Sequence, residues 1–297
     1  MISFFVIIGA EGLGGKGLSG FLGALEQAGV KAEVMKTLSA EQAWAVRAVG
    51  FDAATSGPQV RAIAERYGFD LRISRAEPVK CKLLVADMEA TIILDEMLDL
   101  MARDRGIGEA VAEITARTMA GELDFEQSLR HRTRLFAGTT QAELEALSRR
   151  IRIAPGARSL VQTMRATGAT TVLATGGFGI FADEVARICG FDMVYANHPV
   201  MQGGVMTGEL HDPVGTGATK KEVLLSCCAE LGIDPQMACC IGDGANDIEM
   251  LQACGLPASY MGKPIVREIV ELDIAHGDLT ALLYAQGYAR SDIVQNS

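Results

Sequence analysis

The sequence predicts an α/β protein: a Rossmann-like, doubly wound parallel sheet with a helical cap insertion, preceded by a small ferredoxin-like α+β domain. Three patterns carry this expectation. From Pro155 onward, short apolar runs alternate with helical periodicity, as in a parallel sheet covered on both faces. From about residue 95 to 152 the pattern is helical throughout. The first 76 residues read β-α-β-β-α-β, the split unit of ferredoxin-like order. The expected boundaries are 1–76 for the first domain and 77–297 for the second, with the cap at about 95–152.

In the first domain, Ile2–Ile8 reads as a strand, Gly17–Ala28 as a helix ended by Gly29, and Val30–Thr37 and Ala43–Val49 as two strands. Pro58–Tyr67 reads as a helix ended by Gly68, Phe69–Ile73 as the last strand and Arg75–Lys80 as the linker. This order resembles the small amino-acid-sensing domains of the ACT type. Within it, Gly12-Leu13-Gly14-Gly15-Lys16-Gly17 matches a dinucleotide-binding pattern, with Glu33 at the spacing of a ribose-binding acid. Glu33 falls inside its strand, however, and the next strand follows too soon for a parallel crossover. Gly17 also replaces the Ser or Thr that would follow Lys16 in an ATP-binding loop. The expectation is a flexible strand-to-helix turn.

The second domain opens on Lys82–Ala86, short and apolar like a buried strand, running into Asp87-Met88-Glu89-Ala90-Thr91. A buried carboxylate must be paired, hydrogen-bonded or metal-bound, and the carboxyl ends of strands form the ligand crevice of an open α/β sheet. Asp87 and Glu89 are therefore candidates for chemistry, although a loop acid or helix N-cap gives the same pattern. Helical pieces follow at Leu94–Ala102, Ala110–Ala120, Asp124–Leu135 and Gln141–Ile151. An insert at this point would lie over the crevice as a lid; an ordinary helical subdomain would read alike. Then come helix Ala157–Thr167, strand Thr170–Thr175, helix Ile180–Cys189, strand Met193–Ala196 and a hairpin over Pro199–Leu210 turning at Gly203-Gly204. Helix Lys220–Leu231, strand Met237–Ile241, helix Ile248–Ala253, strand Ala258–Met261 and helix Thr280–Gln286 complete the chain.

Composition narrows the function. Hydrophobic residues at 49% and charged residues at 22% describe a packed globular chain. A net charge of −10 without a Lys/Arg block argues against nucleic acid or an anionic membrane as partner. Ile2–Ile8 is too short to span a bilayer and lacks the basic start and cleavage site of a leader, so a cytoplasmic protein is expected. The seven cysteines show no C-x-x-C spacing and sit mostly in apolar runs, as reduced buried thiols do. The four histidines have no zinc-ligand spacing.

Four polar clusters fall at expected strand ends or helix starts: Asp87/Glu89, Thr175-Gly176-Gly177, Lys220 and Asp243-Gly244-Ala245-Asn246-Asp247. All would line one crevice. Asp87 and Asp243 offer hard oxygen ligands of the kind Mg2+ takes beside a substrate phosphate. Thr175 with the amides of Gly176 and Gly177, at a helix start, suits a phosphate, and Lys220 adds a point charge. A carboxylate can attack phosphorus to give an aspartyl-phosphate, and a second carboxyl group can protonate the leaving oxygen.

These residues resemble the phosphoserine phosphatases of the haloacid dehalogenase superfamily, over about Lys82 to Leu283. The superfamily's Asp-x-Asp-x-Thr stands as Asp87-Met88-Glu89-Ala90-Thr91, and Thr175-Gly176-Gly177-Phe178 looks like its Ser-Gly-Gly-Phe. The motif Lys is Lys220, and Gly-Asp-Gly-Ala-Asn-Asp is kept as Gly242 to Asp247. In the cap, Glu96 stands where the family's amine-binding Glu stands. The run Gly121–Arg132 is similar to the lid sequence whose final Arg clamps the substrate carboxylate, here Arg132. A carboxylate for an ammonium and a guanidinium for a carboxylate together describe an amino-acid backbone; a surface salt-bridge network would use the same residue types.

The resemblance implies a Mg2+-dependent phosphatase releasing serine and phosphate from O-phosphoserine, the last step of serine biosynthesis. In it Asp87 is the nucleophile and Glu89 the acid and base. Asp87, the Glu89 carbonyl and Asp243 hold the metal. Thr175, Gly176, Gly177, Lys220 and Asn246 bind substrate with Glu96 and Arg132, and Asp247 supports. It also brings into view a homodimer and an amino-acid effector at the first domain. One departure stands out: the family has Asp where this chain has Glu89, and Ser or Gly where it has Ala90. The added methylene displaces the carboxyl by roughly an ångström, and a misplacement of that size costs about 100-fold in rate. Two other readings therefore stand beside this one. One is a phosphatase for another small phosphomonoester; the other is a phospho-amino-acid sensor that hydrolyses weakly.

Overall fold

The computed structural model describes residues 2–10, 12 and 14–295, the side chains of residues 54 and 119 excepted. Strands β1 (Ile2–Gly9), β2 (Lys31–Ser39), β3 (Ala43–Val49) and β4 (Phe69–Ser74) form an antiparallel sheet in the order β2-β3-β1-β4. Helices α1 (Gly14–Gln27) and α2 (Ala53–Arg66) cover one face, where Phe21, Leu25, Val60 and Ile63 meet Phe5 and Ile7. Helix α2 starts ahead of the expected Pro58, which lies inside it and removes one backbone donor. Leu13 of the glycine pattern lies outside the described residues. Gly14 opens α1 with φ 58°, and Glu33 pairs with Arg47 on the exposed edge at 3.1 Å. With antiparallel partners on both sides of β3, no parallel crossover exists there to carry a dinucleotide site.

The second sheet is parallel throughout. It comprises β5 (Leu83–Ala86), β6 (Thr170–Phe178), β7 (Met193–Asn197), β10 (Ala238–Gly242), β11 (Leu256–Tyr260) and β12 (Leu272–Ile274) in the order β12-β11-β10-β5-β6-β7. The chain steps from β5 to β6 and β7, then returns to β10 on the other side of β5. That reversal opens a crevice above the carboxyl ends of β5 and β10. Helices α7 (Ala157–Ala166), α8 (Gly179–Cys189), α9 (Gly217–Leu231), α10 (Ile248–Ala253) and α12 (Ala281–Ala285) flank the sheet. Edge strand β12 and the one-turn helix α11 (Pro264–Arg267) have no counterpart in the sequence reading. Three or four residues are too few to show a period. All seven cysteines are free and buried.

The cap consists of α3 (Met97–Asp104), α4 (Gly108–Met119), α5 (Phe125–Leu135) and α6 (Gln141–Ser148). It leaves after Ile93 and returns at Ile153, and these two residues pair as an isolated antiparallel bridge. Buried Asp95 fastens the crossing: it accepts hydrogen bonds from the Arg152 amide at 2.9 Å and the Arg152 guanidinium at 2.6 Å. The hairpin of β8 (Pro199–Gln202) and β9 (Val205–Leu210) packs on α5 and bridges to Thr140, so it forms a second wall of the cap.

The two sheets abut. In β1, Phe5 and Ile7 point into the α1/α2 core, while Val6 and Ile8 join the core that contains Tyr284 of α12. This two-sided burial explains why the run is continuously apolar. In β4, Phe69, Leu71 and Ile73 face the first core, while Asp70 and Arg72 turn into the junction and are buried there. Asp70 accepts the amides of Ala275, His276 and Gly277 at 2.8–2.9 Å. Arg72 donates to Glu271 and to the Ala285 carbonyl. Among the described residues no helix is long and apolar enough to cross a membrane.

Candidate active site

The four clusters meet. Strand β5 delivers Asp87, whose amide donates to the Ile241 carbonyl of neighbouring β10 at 2.9 Å. Its Oδ1 accepts from the Met88 amide and from Lys220 Nζ, both at 2.7 Å. The chain then makes a wide turn, closed by the Ile93 amide donating to the Met88 carbonyl at 2.9 Å, with Ala90 in the left-handed region at φ 51°. The turn aims Glu89 into the cleft. Its Oε1 accepts from the Met97 amide at 2.8 Å, in the first turn of α3.

Lys220, buried in the first turn of α9, lies between Asp87 and Asp247, 2.7 Å from each. Asp247 is fully buried; its other oxygen accepts the amides of Asp243 and Gly244 at 3.2 and 3.1 Å. One residue thus orients both the lysine and the loop that carries Asp243. Thr175 Oγ1 accepts from the Gly177 amide at 2.9 Å, leaving the hydroxyl proton for a ligand. The expected cradle differs here: the Gly177 amide is taken up by Thr175. A Cβ on Gly176 would lie 2.6 Å from the Phe125 ring of α5, and one on Gly177 would lie 3.2 Å from Glu89 Oε2. A side chain at either position would make the Phe125 ring or the Glu89 carboxyl shift.

A cleft of about 200 Å³ lies between these groups and the cap. It is lined by Asp87, Glu89, Glu96, Arg132, Thr175, Gly176, Gly177, Asp243 and Asn246; of the expected site, Lys220 and Asp247 alone lie behind it. Arg132 projects from α5 with its Nε buried and without a hydrogen-bond partner. A buried unpaired guanidinium nitrogen is costly. Burial works against the charged guanidinium, while the negative charges of Glu89, Asp99 and Glu96 favour it.

Burial and the nearby Asp247 carboxylate push Asp87 up to about 7, against the pull of Lys220. Burial, then the Glu96 and Asp87 carboxylates, push Glu89 up to about 8. Burial works against the Lys220 ammonium, but Asp87 and Asp247 outweigh it and raise its pKa. One ammonium thus serves two carboxylates, and a further positive charge would suit the site. Asp87, Asp243 and Asp247 each place an oxygen within 4.8 Å of the others. Such an all-carboxylate set fits a hard divalent cation such as Mg2+.

Residues 84–252 match the family model described as haloacid dehalogenase-like hydrolase. The chain belongs to the haloacid dehalogenase-like hydrolase family. A relative in the family, "Phosphoserine phosphatase" of Albidiferax ferrireducens, is 39% identical over 208 residues, covering 68% of this chain and 88% of that protein. "Phosphoserine phosphatase" of Streptomyces coelicolor is 35% identical over 212 residues, covering 71% of this chain and 52% of that longer protein. A haloacid-dehalogenase-family hydrolase of Salmonella enterica serovar Typhi superposes with TM-score 0.85 at 25% identity, covering 96% of this chain and 98% of the other.

Three residues of the site are not singled out by the sequence. Asn197, buried at the end of β7, donates to the Gly176 carbonyl at 2.8 Å and accepts from the Gly215 amide at 2.7 Å, tying the Thr175 loop to the approach to α9. Phe125 closes the cap onto Gly176. Lys263 lines the cleft, 2.8 Å from Asp243 Oδ2. The Asn-His pair at the end of a short strand was the only local sign of Asn197, while Lys263 is set by a loop of no regular pattern.

Proposed function

We propose that the protein is a Mg2+-dependent phosphatase that hydrolyses O-phosphoserine through an aspartyl-phosphate on Asp87. The observation that carries this is the buried, unpartnered Nε of Arg132, a residue that lines the same cleft as Asp87 and Glu96. A guanidinium and a carboxylate sharing one cleft with a nucleophile and phosphate-binding groups fit an amino-acid phosphate. The names of the two curated relatives agree with this reading.

Asp87 Oδ1 is held by Met88 and Lys220, so Oδ2 is the oxygen left to attack phosphorus. The Thr175 hydroxyl is free to donate to a phosphoryl oxygen, Lys220 adds positive charge from behind Asp87, and Asn246 lines the same cleft. As the P–O bond to serine breaks, Glu89 gives its proton to the departing oxygen; its raised pKa keeps that proton in place at neutral pH. Glu89, now ionised, takes a proton from the water that attacks the aspartyl-phosphate, which regenerates both carboxyl groups. Mg2+, held by Asp87, the Glu89 carbonyl and Asp243, would supply positive charge against the phosphate.

The deciding experiment is phosphate release from O-phosphoserine with and without Mg2+, beside a panel of phosphate esters. Asp87→Asn should abolish turnover and aspartyl-phosphate trapping together, because an amide is a far poorer nucleophile. Normal turnover in that variant would remove the mechanism. Equal rates across the panel would leave a phosphatase without amino-acid selectivity.

A further inference from the structure

Asp243 carries a lysine that no step above uses. Lys263 Nζ lies 2.8 Å from Asp243 Oδ2, and the Lys263 amide donates to the Asp243 carbonyl at 2.9 Å. The side chain is 60% exposed, so charge and not packing holds it there. The loop behind it is tightly constrained. Met261 sits in the left-handed region at φ 48°, a conformation that persists in a non-glycine residue only when the surroundings enforce it. Its amide donates to the Ile274 carbonyl at 2.9 Å. The Gly262 amide donates to Asp273 Oδ1 at 3.0 Å, and a Cβ there would lie 2.6 Å from Ser259 Oγ. Arg267 closes the loop by donating to the Gly262 carbonyl at 2.7 Å. This strain and these bonds serve to fix the point from which one lysine reaches one carboxylate.

The charges around the cleft floor give that contact a meaning. Lys220 is committed to Asp87 and Asp247. Asp243, the third member of the acidic set, has Lys263 as its ion-pair partner among the described residues. We propose that Lys263 is a latch on the metal-binding carboxylate. Its ammonium neutralises Asp243 in the metal-free protein and competes with a divalent cation for that carboxylate, so it lowers the affinity for the cation. Lys263 is thus a positioning residue acting through Asp243. The proposal rests on the reading of Asp243 as a metal ligand and adds to it a residue that sets how tightly the ion is held.

The test is a titration of full-length, substrate-free protein with Mn2+, the bound fraction read from the electron paramagnetic resonance signal of the free ion. Lys263→Met should tighten binding on the order of fivefold, the upper end for a largely exposed ion pair. Lys263→Arg keeps the charge and should stay within about twofold of wild type. Asp243→Asn marks the site and should lose the ion. Unchanged or weaker binding in Lys263→Met, with binding intact in wild type and lost in Asp243→Asn, would overturn the latch and spare the metal reading. Undiminished binding in Asp243→Asn would overturn the metal reading, and the latch with it.

Discussion

The Oε1 atom of Glu89 accepts a hydrogen bond from the Met97 amide at 2.8 Å, which ties the acid in the cleft floor to the first turn of the cap. Its Oε2 stays beside Gly177 and the cleft. An aspartate is one methylene shorter and cannot serve both places from the same backbone. The longer acid is therefore matched to this turn. Glu89→Asp should lower kcat about 10- to 100-fold, and Glu89→Gln, which keeps the length but has no proton to give, about 100- to 10,000-fold with little change in KM. Steady-state kinetics on phosphoserine separates the cases. A faster Glu89→Asp enzyme would show that the turn had not adapted to glutamate.

The raised pKa of Glu89 gives the pH dependence a sign. Because Glu89 must hold its proton to act, kcat/KM should fall as pH rises past its raised pKa, and the Glu89→Gln enzyme should lack that limb. Stability follows by linkage. The folded value lies above the unfolded 4.5, so the native state binds more protons between the two, and the metal-free protein should lose stability as pH rises from about 4.5 to 8. Asp87, raised to about 7, acts in the same direction. Urea midpoints at pH 5, 6.5 and 8 should decline in wild type and decline less in Glu89→Gln.

Substrate selectivity should reside in the cap. Arg132→Ala removes the guanidinium with the unpartnered Nε. It should raise KM for phosphoserine far more than for p-nitrophenyl phosphate, by about 2–5 kcal/mol in the difference. Equal losses on both would assign Arg132 to cap packing.

Sequence reading brought Asp87, Thr175 and Asp243 to one crevice because it placed them where strands end. Asp87, Thr175 and Asp243 follow apolar runs, and a parallel sheet brings consecutive strand ends together. Residues placed by irregular backbone stayed hidden. Lys263 depends on a left-handed Met261, and Asn197 on two carbonyl and amide contacts across loops. The junction between the sheets was hidden for another reason. Phe69-Asp70-Leu71-Arg72-Ile73 alternates like a strand with one wet face, yet Asp70 and Arg72 are buried against the second domain. Alternation reports polarity, and here protein groups replace water on the polar side.

Ala90 offers a test of strain. At φ 51° a non-glycine residue costs about 1–2 kcal/mol. Glycine removes that cost but loses about 0.4–1 kcal/mol through the freer unfolded chain. The first effect is larger, so Ala90→Gly should stabilise by about 0.5–1 kcal/mol in a urea titration. Any loss of kcat that accompanies it would mean that the rigidity of this turn helps to aim Glu89.

Asp70 tests whether the two sheets stand alone. Its carboxylate takes three backbone amides from Ala275, His276 and Gly277. Asp70→Ala leaves these donors without their acceptor in a half-dry junction and should cost about 2–4 kcal/mol, with the largest loss of hydrogen-exchange protection at residues 275–277. Asp70→Asn keeps one acceptor oxygen and should cost less. The cleft lies elsewhere, so kcat on phosphoserine at 25 °C should stay within about threefold for both. A chain beginning at Pro78 goes further. It uncovers the face of α12 that packs on β1, where Val6 and Ile8 are each buried, a contribution of about 1.5–3 kcal/mol per side chain. We therefore expect the shortened protein to unfold at clearly lower urea than the full chain and to expose apolar surface to a hydrophobic dye. If it instead matches the full chain in midpoint and turnover, the junction contributes no net stability, and the buried Asp70 and Arg72 only balance the cost of their own desolvation.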